Sequence, residues 1–352
     1  PQGFLHGVEY TAGQINEALQ SADPFSVVPF TDTIGHGTAV AGIAAGNGRA
    51  SNGVQTGAAP EASIIVVKLG RTGFEAFART TEIMRAMKYL SDKARQANMP
   101  LSINLSYGTN NSPHDGNTLF EAYINSVSQE WKTVISVATG NEGAAGHHYT
   151  GFLTAGRQTN IEFYVFEEIF KLYITIWKNF SDTMSFRISS PSGNETGEIR
   201  PTTRFIIGSL EGVNLTVFNN QPTIYTTAQE IFILFEGLNR PIPQGLWRIE
   251  VIPEVIVDGQ IDAWLPNTDE RIIGVAFATP SIETTLTMPS TASNVISVGG
   301  YDARSGTIAA FSGRGYTRFI ETIKPDLVAP AVDIITAVPG GGYDRFSGTS
   351  MA

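Results

Sequence analysis

Cysteine is missing from all 352 positions. That excludes disulfides, thiolate metal sites and a cysteine nucleophile at once. Charge is sparse as well: Asp, Glu, Lys and Arg make up 16% of the chain, and 23 Lys and Arg face 33 acids. A net charge of −10 speaks against nucleic acid as the main partner, because phosphate binding needs clustered cations. No apolar run approaches the ~20 residues that a membrane-spanning helix requires. No signal peptide opens the chain; Pro1-Gln2-Gly3-Phe4 reads as the inside of a loop, and Ala352 falls where a helix should be getting under way, so a fragment cut at both ends is expected. What is present is apolar bulk. Hydrophobic residues reach 42%, enough for packed cores and against disorder, and the length suits more than one core.

The pattern along the chain changes twice. A short helix is expected over residues 12–19, a turn at Asp23-Pro24, and a tightly packed helix of small residues from His36 through Gly46. Ile64-Ile65-Val66-Val67 has the apolar character of a buried parallel strand. Residues 75–97 carry helical periodicity, with Phe77, Ile83, Met84, Met87 and Leu90 on one face. A strand over 101–105, an amphipathic helix over 117–130 and a strand over 134–138 complete an alternation that implies an α/β fold with a parallel sheet. In such sheets ligands bind at strand ends. From about 151 to 285 the chain reads as strands without helices: 161–166, 171–177, 185–189, 214–218, 230–235, 247–252 and 260–265, aromatic and β-branched, parted by Gly, Pro, Asn or Ser. An antiparallel sandwich or jelly roll is expected there. The α/β pattern resumes with a strand over 294–298. The expected organisation is therefore one α/β domain in two pieces, 1–150 and 286–352, interrupted by an inserted β domain over 151–285.

Three segments carry chemistry. Phe346-Ser347-Gly348-Thr349-Ser350-Met351-Ala352 sets a serine among small residues at a tight turn into a helix start, where backbone amides can stabilise an oxyanion. Serine is a weak nucleophile until a base removes its proton. His36, in Gly35-His36-Gly37-Thr38-Ala39-Val40-Ala41-Gly42, is the candidate, since imidazole titrates near neutrality. Asn141, in Ala138-Thr139-Gly140-Asn141-Glu142-Gly143, can donate its amide to an oxyanion. Each alone has a plain structural explanation; the three in this order suggest a serine hydrolase. His147-His148 lacks partners at metal-ligand spacing and reads as a polar loop, and His6 and His114 read as exposed. Trp177, Trp247 and Trp264 read as core residues of the β block rather than a sugar-binding face.

These three motifs, with Ser102-Ile103-Asn104-Leu105-Ser106-Tyr107-Gly108 and Lys324-Pro325-Asp326-Leu327-Val328-Ala329-Pro330, resemble the subtilisin-like serine peptidases (subtilases, peptidase family S8). The β insertion and the N-terminal segment look like the clostridial germination-protease (Csp) branch. The resemblance implies a subtilisin-like parallel sheet with helices on both faces. It also implies a serine endopeptidase acting through an acyl-enzyme, with His36 as general base, Ser350 as nucleophile, and Asn141 and the Ser350 backbone amide as oxyanion donors. Ser106, Tyr107 and Gly108 would pair with an extended peptide; Ala138, Thr139 and Gly140 would line the pocket for the residue before the scissile bond, with Gly70 across the cleft. Glu142 would border that pocket or be a solvated loop carboxylate. The family's catalytic aspartate, in an Asp-Thr/Ser-Gly context, is not found before His36: Asp32 matches a common non-catalytic position and Asp23 has the wrong context. Ala39 and Ala331 stand where the family often has histidine and glycine. Protein or peptide substrates, a pro-segment, no cofactor, no metal, and a bacterial location outside the cell, in its envelope or in the spore are expected. The contrasting reading is a pseudoprotease that binds or regulates another protein. An α/β-hydrolase esterase is disfavoured, because no Gly-x-Ser-x-Gly elbow surrounds the serine and the histidine comes first.

Overall fold

A computed structural model describes residues 1, 3–69, 79–268, 274–318 and 322–352. Two compact units emerge: Pro1–Ala62 with Ile335–Arg345, and Ser63–Ile334 with Phe346–Ala352.

In the first unit, helix α1 (Ala12–Gln20) starts where Thr11 and Gln14 form a capping box, which satisfies two of the helix's unpaired amides. The single turn α2 (Pro24–Val27) opens on a proline, whose missing N–H costs nothing at that position. Helix α3 (His36–Ala45) is built from small residues, so other backbone can lie against it. Gly57, Ala58 and Ala59 donate their amides to Gly46, Ile43 and Ala44 at 2.7–2.9 Å. A Cβ on Gly57 would sit 2.6 Å from Gly46 N. The hairpin of Ile334–Ala337 and Tyr343–Phe346 lends Thr336 to this unit, and its hydroxyl donates to Ala39 O at 2.7 Å. Ala39 is wholly buried there, which leaves no volume for a larger side chain.

The second unit begins with helices α4 (Thr80–Ala97) and α5 (Leu119–Ser128) and fifteen strands. In chain order these are β1 (Leu101–Leu105), β2 (Thr133–Ala138), β3 (His148–Phe152), β4 (Thr159–Val165), β5 (Lys171–Asn179), β6 (Thr183–Ser189), β7 (Phe205–Leu210), β8 (Val213–Asn219), β9 (Ala228–Gly237), β10 (Gly245–Val255), β11 (Gln260–Trp264), β12 (Val275–Phe277), β13 (Ile296–Asp302), β14 (Thr307–Ile308) and β15 (Leu327–Pro330). Strands β1, β2, β13 and β15 are parallel neighbours, with β14 antiparallel on β13. Ile83 and Met87 of α4, Phe120, Ile124 and Val127 of α5, and Ile103, Ile135 and Val137 of the sheet share one core. Phe77, expected on the same face, lies outside the described residues.

The β-rich stretch folds as two antiparallel sheets, β12-β4-β10-β6 and β3-β11-β5-β9-β8-β7. Their apolar faces meet in a single core. Ile161 and Phe163, Trp247 and Ile249 come from the first sheet, and Ile174, Leu215, Ile233 and Phe235 from the second. The side-chain period of two explains the burial pattern: in β10, Trp247, Ile249 and Val251 are buried while their neighbours are not. All seven strands expected from the sequence are present, and Trp177, Trp247 and Trp264 are buried as expected. Strands β3, β7 and β12 went unread.

The expected strand at 64–67 is absent. Ile64, Ile65 and Val66 are exposed, and an apolar run becomes a buried strand only when neighbouring strands take up its amides and carbonyls.

Candidate active site

The ends of β1 and β2 lie side by side because the strands run parallel in register, Leu105 opposite Val137. The chain leaves them as Ser106-Tyr107-Gly108 and Thr139-Gly140-Asn141. Against these ends rests the segment carrying Ser350, a single 3-10 turn over Thr349–Met351. Thr349 fastens it: its backbone amide donates to Asn141 Oδ1 at 3.0 Å, its hydroxyl donates to the same oxygen at 3.3 Å, and Gly140 N donates to that hydroxyl at 3.1 Å. Ser106 Oγ adds a bond to Ser350 O at 3.2 Å and itself accepts from Asn104 Nδ2 at 3.0 Å.

These bonds settle how Asn141 is turned. An N–H needs an acceptor, so the carboxamide oxygen is what faces Thr349. The amino group therefore points away from the Thr349 amide; the whole carboxamide lies beside Gly348, where a Cβ would come 3.5 Å from Nδ2 and 3.6 Å from Oδ1. A half-buried serine thus stands one residue from the group that orients an amide donor. Chemically, such a pair can place a hydroxyl and an N–H on the same reacting carbonyl.

Behind the two strand ends sits Thr287. Its side chain occupies the place a Cβ on Gly108 or Gly140 would need, at 2.1 and 2.5 Å respectively. Its amide donates to Thr139 O at 3.0 Å. Gly140 also has φ of 87°, a region that disfavours side chains. Both glycines are thus required by packing at this spot. Gly70 lies outside the described residues.

Glu142, expected at a pocket rim or in solvent, is instead 2% exposed. Oε2 accepts from Asn110 Nδ2 at 3.2 Å and faces His147 Nδ1 at 2.7 Å; Oε1 accepts from Thr268 N at 2.8 Å and Thr268 Oγ1 at 2.7 Å. Burial pushes its carboxyl up, but the bonds from His147 and Thr268 more than offset this and hold it below the usual carboxylate value. The sequence showed the glutamate and, five residues on, His147, but not the pairing between them, and Asn110 and Thr268 come from distant segments.

The histidines are corrected in the same way. His147 and His148 are both buried; His147 lies in the loop just before β3, while His148 opens β3 and pairs with Asp262 at 3.2 Å. His114, expected to be exposed, has no solvent exposure. Its Nδ1 lies 2.6 Å from Leu286 O and its Nε2 3.0 Å from Asn110 O. Trp264 lies between the rings of His114 and His148, stacked at centroid distances of 4.0 and 4.5 Å. Asp262 also binds the buried Arg318, which donates to Trp177 O at 2.7 Å. Only His6 is exposed as expected. Among the described residues no cluster of three or more His, Asp or Glu could hold a metal ion.

His36 belongs to the first unit. It is exposed and is the first residue of α3. Asp32 anchors that helix start, accepting from Ile34 N, Gly35 N, Thr38 N and Thr38 Oγ1 at 2.7–3.0 Å. Burial works against its ionisation, yet these bonds hold the carboxyl down at about 2. Asp32 thus spends its oxygens on amides and a hydroxyl.

Comparison with known proteins bears on this geometry. The family model of the subtilases, peptidase family S8, matches residues 13–199 and 268–352. The structure of the Clostridium perfringens CspB protease is similar at 37% identity and a TM-score of 0.89, over 98% of this chain and 73% of that one. A 47-residue stretch is 53% identical to the subtilisin-like protease SBT3.16 of Arabidopsis thaliana. That stretch amounts to 13% of this chain and only 6% of the length of the curated plant relative.

Proposed function

This chain belongs to the subtilase family, and on that premise we propose that it is a serine endopeptidase cleaving extended protein segments through an acyl-enzyme. The observation that carries the reading is the orientation of Asn141 by Thr349, one residue from Ser350. In this reading the Ser350 hydroxyl attacks the peptide carbonyl carbon as His36 accepts its proton. The carbonyl oxygen becomes an oxyanion held by Asn141 Nδ2 and the Ser350 amide. His36 then passes the proton to the leaving amine, and water repeats the sequence to free the acid. Asp32 is assigned to the start of α3 rather than to the imidazole. Ser106, Tyr107 and Gly108 form the edge that pairs with substrate backbone, and Ala138, Thr139 and Gly140 flank the side chain before the cleaved bond, with Gly70 opposite.

We assign residues 151–285 to an inserted β domain of jelly-roll type, with the parallel sheet carrying helices on both faces. Among the described residues no helix is long and apolar enough to cross a membrane. A bacterial setting outside the cytoplasm or in the spore, and a pro-segment, belong to the same proposal.

The test is labelling of the full-length protein by a fluorophosphonate. Ser350 is expected to be the labelled residue and Ser350→Ala to abolish the signal, while Asn141→Ala slows labelling ~10²-fold through loss of one oxyanion donor. Equal labelling of Ser350→Ala would refute the nucleophile. A folded wild-type protein that takes no label favours the pseudoprotease, in which the cleft serves binding alone.

A further inference from the structure

Residue 142 immediately follows the amide donor of the proposed site, and its side chain is a buried carboxylate. Burying such a group costs several kcal/mol unless hydrogen bonds compensate. Here both oxygens are used, and the donors come from three separate segments: Asn110, His147 and Thr268. A glutamate that served packing alone would be replaceable by an apolar side chain at no loss.

The partner segment at 265–268 is the exit of β11, which pairs with β3 and β5 in the six-stranded sheet. Leu265 N donates to His147 O at 3.0 Å, and Leu265 O accepts from Asn110 Nδ2 at 3.0 Å. Asn267 Nδ2 donates to Gly108 O at 3.0 Å, and Thr268 holds Glu142. Three of these four positions, Leu265, Asn267 and Thr268, therefore hold the segments that follow the two strand ends beside Ser350. On the far side, Gly143 N donates to Phe311 O at 2.9 Å, and a Cβ on Gly143 would lie 2.2 Å from Ser312 O. The backbone just after Asn141 is clamped from both directions.

We infer that Glu142 and Thr268 are positioning residues for the oxyanion donor Asn141, and that the exit of β11 is the brace by which the β layer fixes the cleft. The inference rests on the serine peptidase reading. Asn141 has its oxygen set by Thr349; Glu142 sets the backbone from which its side chain springs. A misplacement of about 1 Å at such a donor can cost ~10²-fold in rate.

The experiment measures the rate of Ser350 phosphonylation by a fluorophosphonate in the full-length protein. Glu142→Gln and Thr268→Val are isosteric and are each expected to slow labelling by ~10-fold or more. Thr268→Ser, which keeps the hydroxyl, is expected to label at the wild-type rate. In an Asn141→Ala background neither slowing substitution should have a further effect, because the group they position is gone. Wild-type rates for both variants would overturn the inference. So would full additivity with Asn141→Ala, which marks a structural role without coupling to the donor. If Glu142→Gln fails to fold by circular dichroism, Thr268→Val and Thr268→Ser decide, since both keep the carboxylate and the backbone bond. A wild-type protein that folds without labelling at Ser350 sinks the peptidase reading itself, and is told apart by needing no variant.

Discussion

His114 shows what a single buried side chain demands. Both ring nitrogens face carbonyl oxygens, one face stacks on Trp264, and the titratable groups His148, Asp262 and Arg318 lie nearby. Burial pushes its pKa down to about 4, against the two carbonyl bonds, which favour the charged form. The folded value is below the unfolded one, so the unfolded chain takes the proton first. The contribution to stability is therefore whole above pH 6.5 and is lost as pH falls toward 4, by about 3 kcal/mol in all. Urea unfolding across that window should show the loss, and His114→Asn should flatten the slope. Asn suits the positive φ of 55° at this position. The sequence offered no sign of this burial. A histidine in Ser-Pro-His-Asp-Gly has the local chemistry of a surface turn, and it is Trp264 and Leu286, far along the chain, that close over it. Ser350, Asn141 and His36 could be picked out as candidates for the opposite reason: each sits in a short run of small residues whose constraint is local. Thr349, Thr287 and Thr268 were not, because a threonine's role depends on what faces it.

Elements were read more easily than their partners. The seven strands announced themselves by alternation, and the two capping boxes at Thr11 and Thr118 are written in adjacent residues. Strand β7 escaped because most of it is not buried, so no apolar alternation was selected. The run at 64–67 misled for the complementary reason: apolar character is necessary for a buried strand, and pairing decides. Pairing also sets what a core substitution costs. Phe163 of β4 meets Phe235 edge-on at 5.8 Å and stacks near Trp247 at 6.4 Å, and is wholly buried between the sheets. Phe163→Ala should cost about 3–5 kcal/mol, read as a lowered denaturant midpoint with an unchanged slope.

At the scale of the molecule, the change of pattern near residue 150 marked where the β layer begins, and the family model leaves positions 200–267 unmatched. The division into Pro1–Ala62 with Ile335–Arg345 and the remainder was not foreseen, because it depends on a hairpin 270 or more positions away returning to α3, and no local signal records a return. If residues 151–285 form one domain, limited proteolysis of the native protein should leave that stretch as a resistant β fragment; rapid fragmentation within it would count against the assignment. The bond between Thr349 and Asn141 joins positions 208 apart. A polypeptide still emerging from the ribosome therefore holds Asn141 long before it holds Thr349, and the carboxamide gains the partner that turns it only once the last turn has been made.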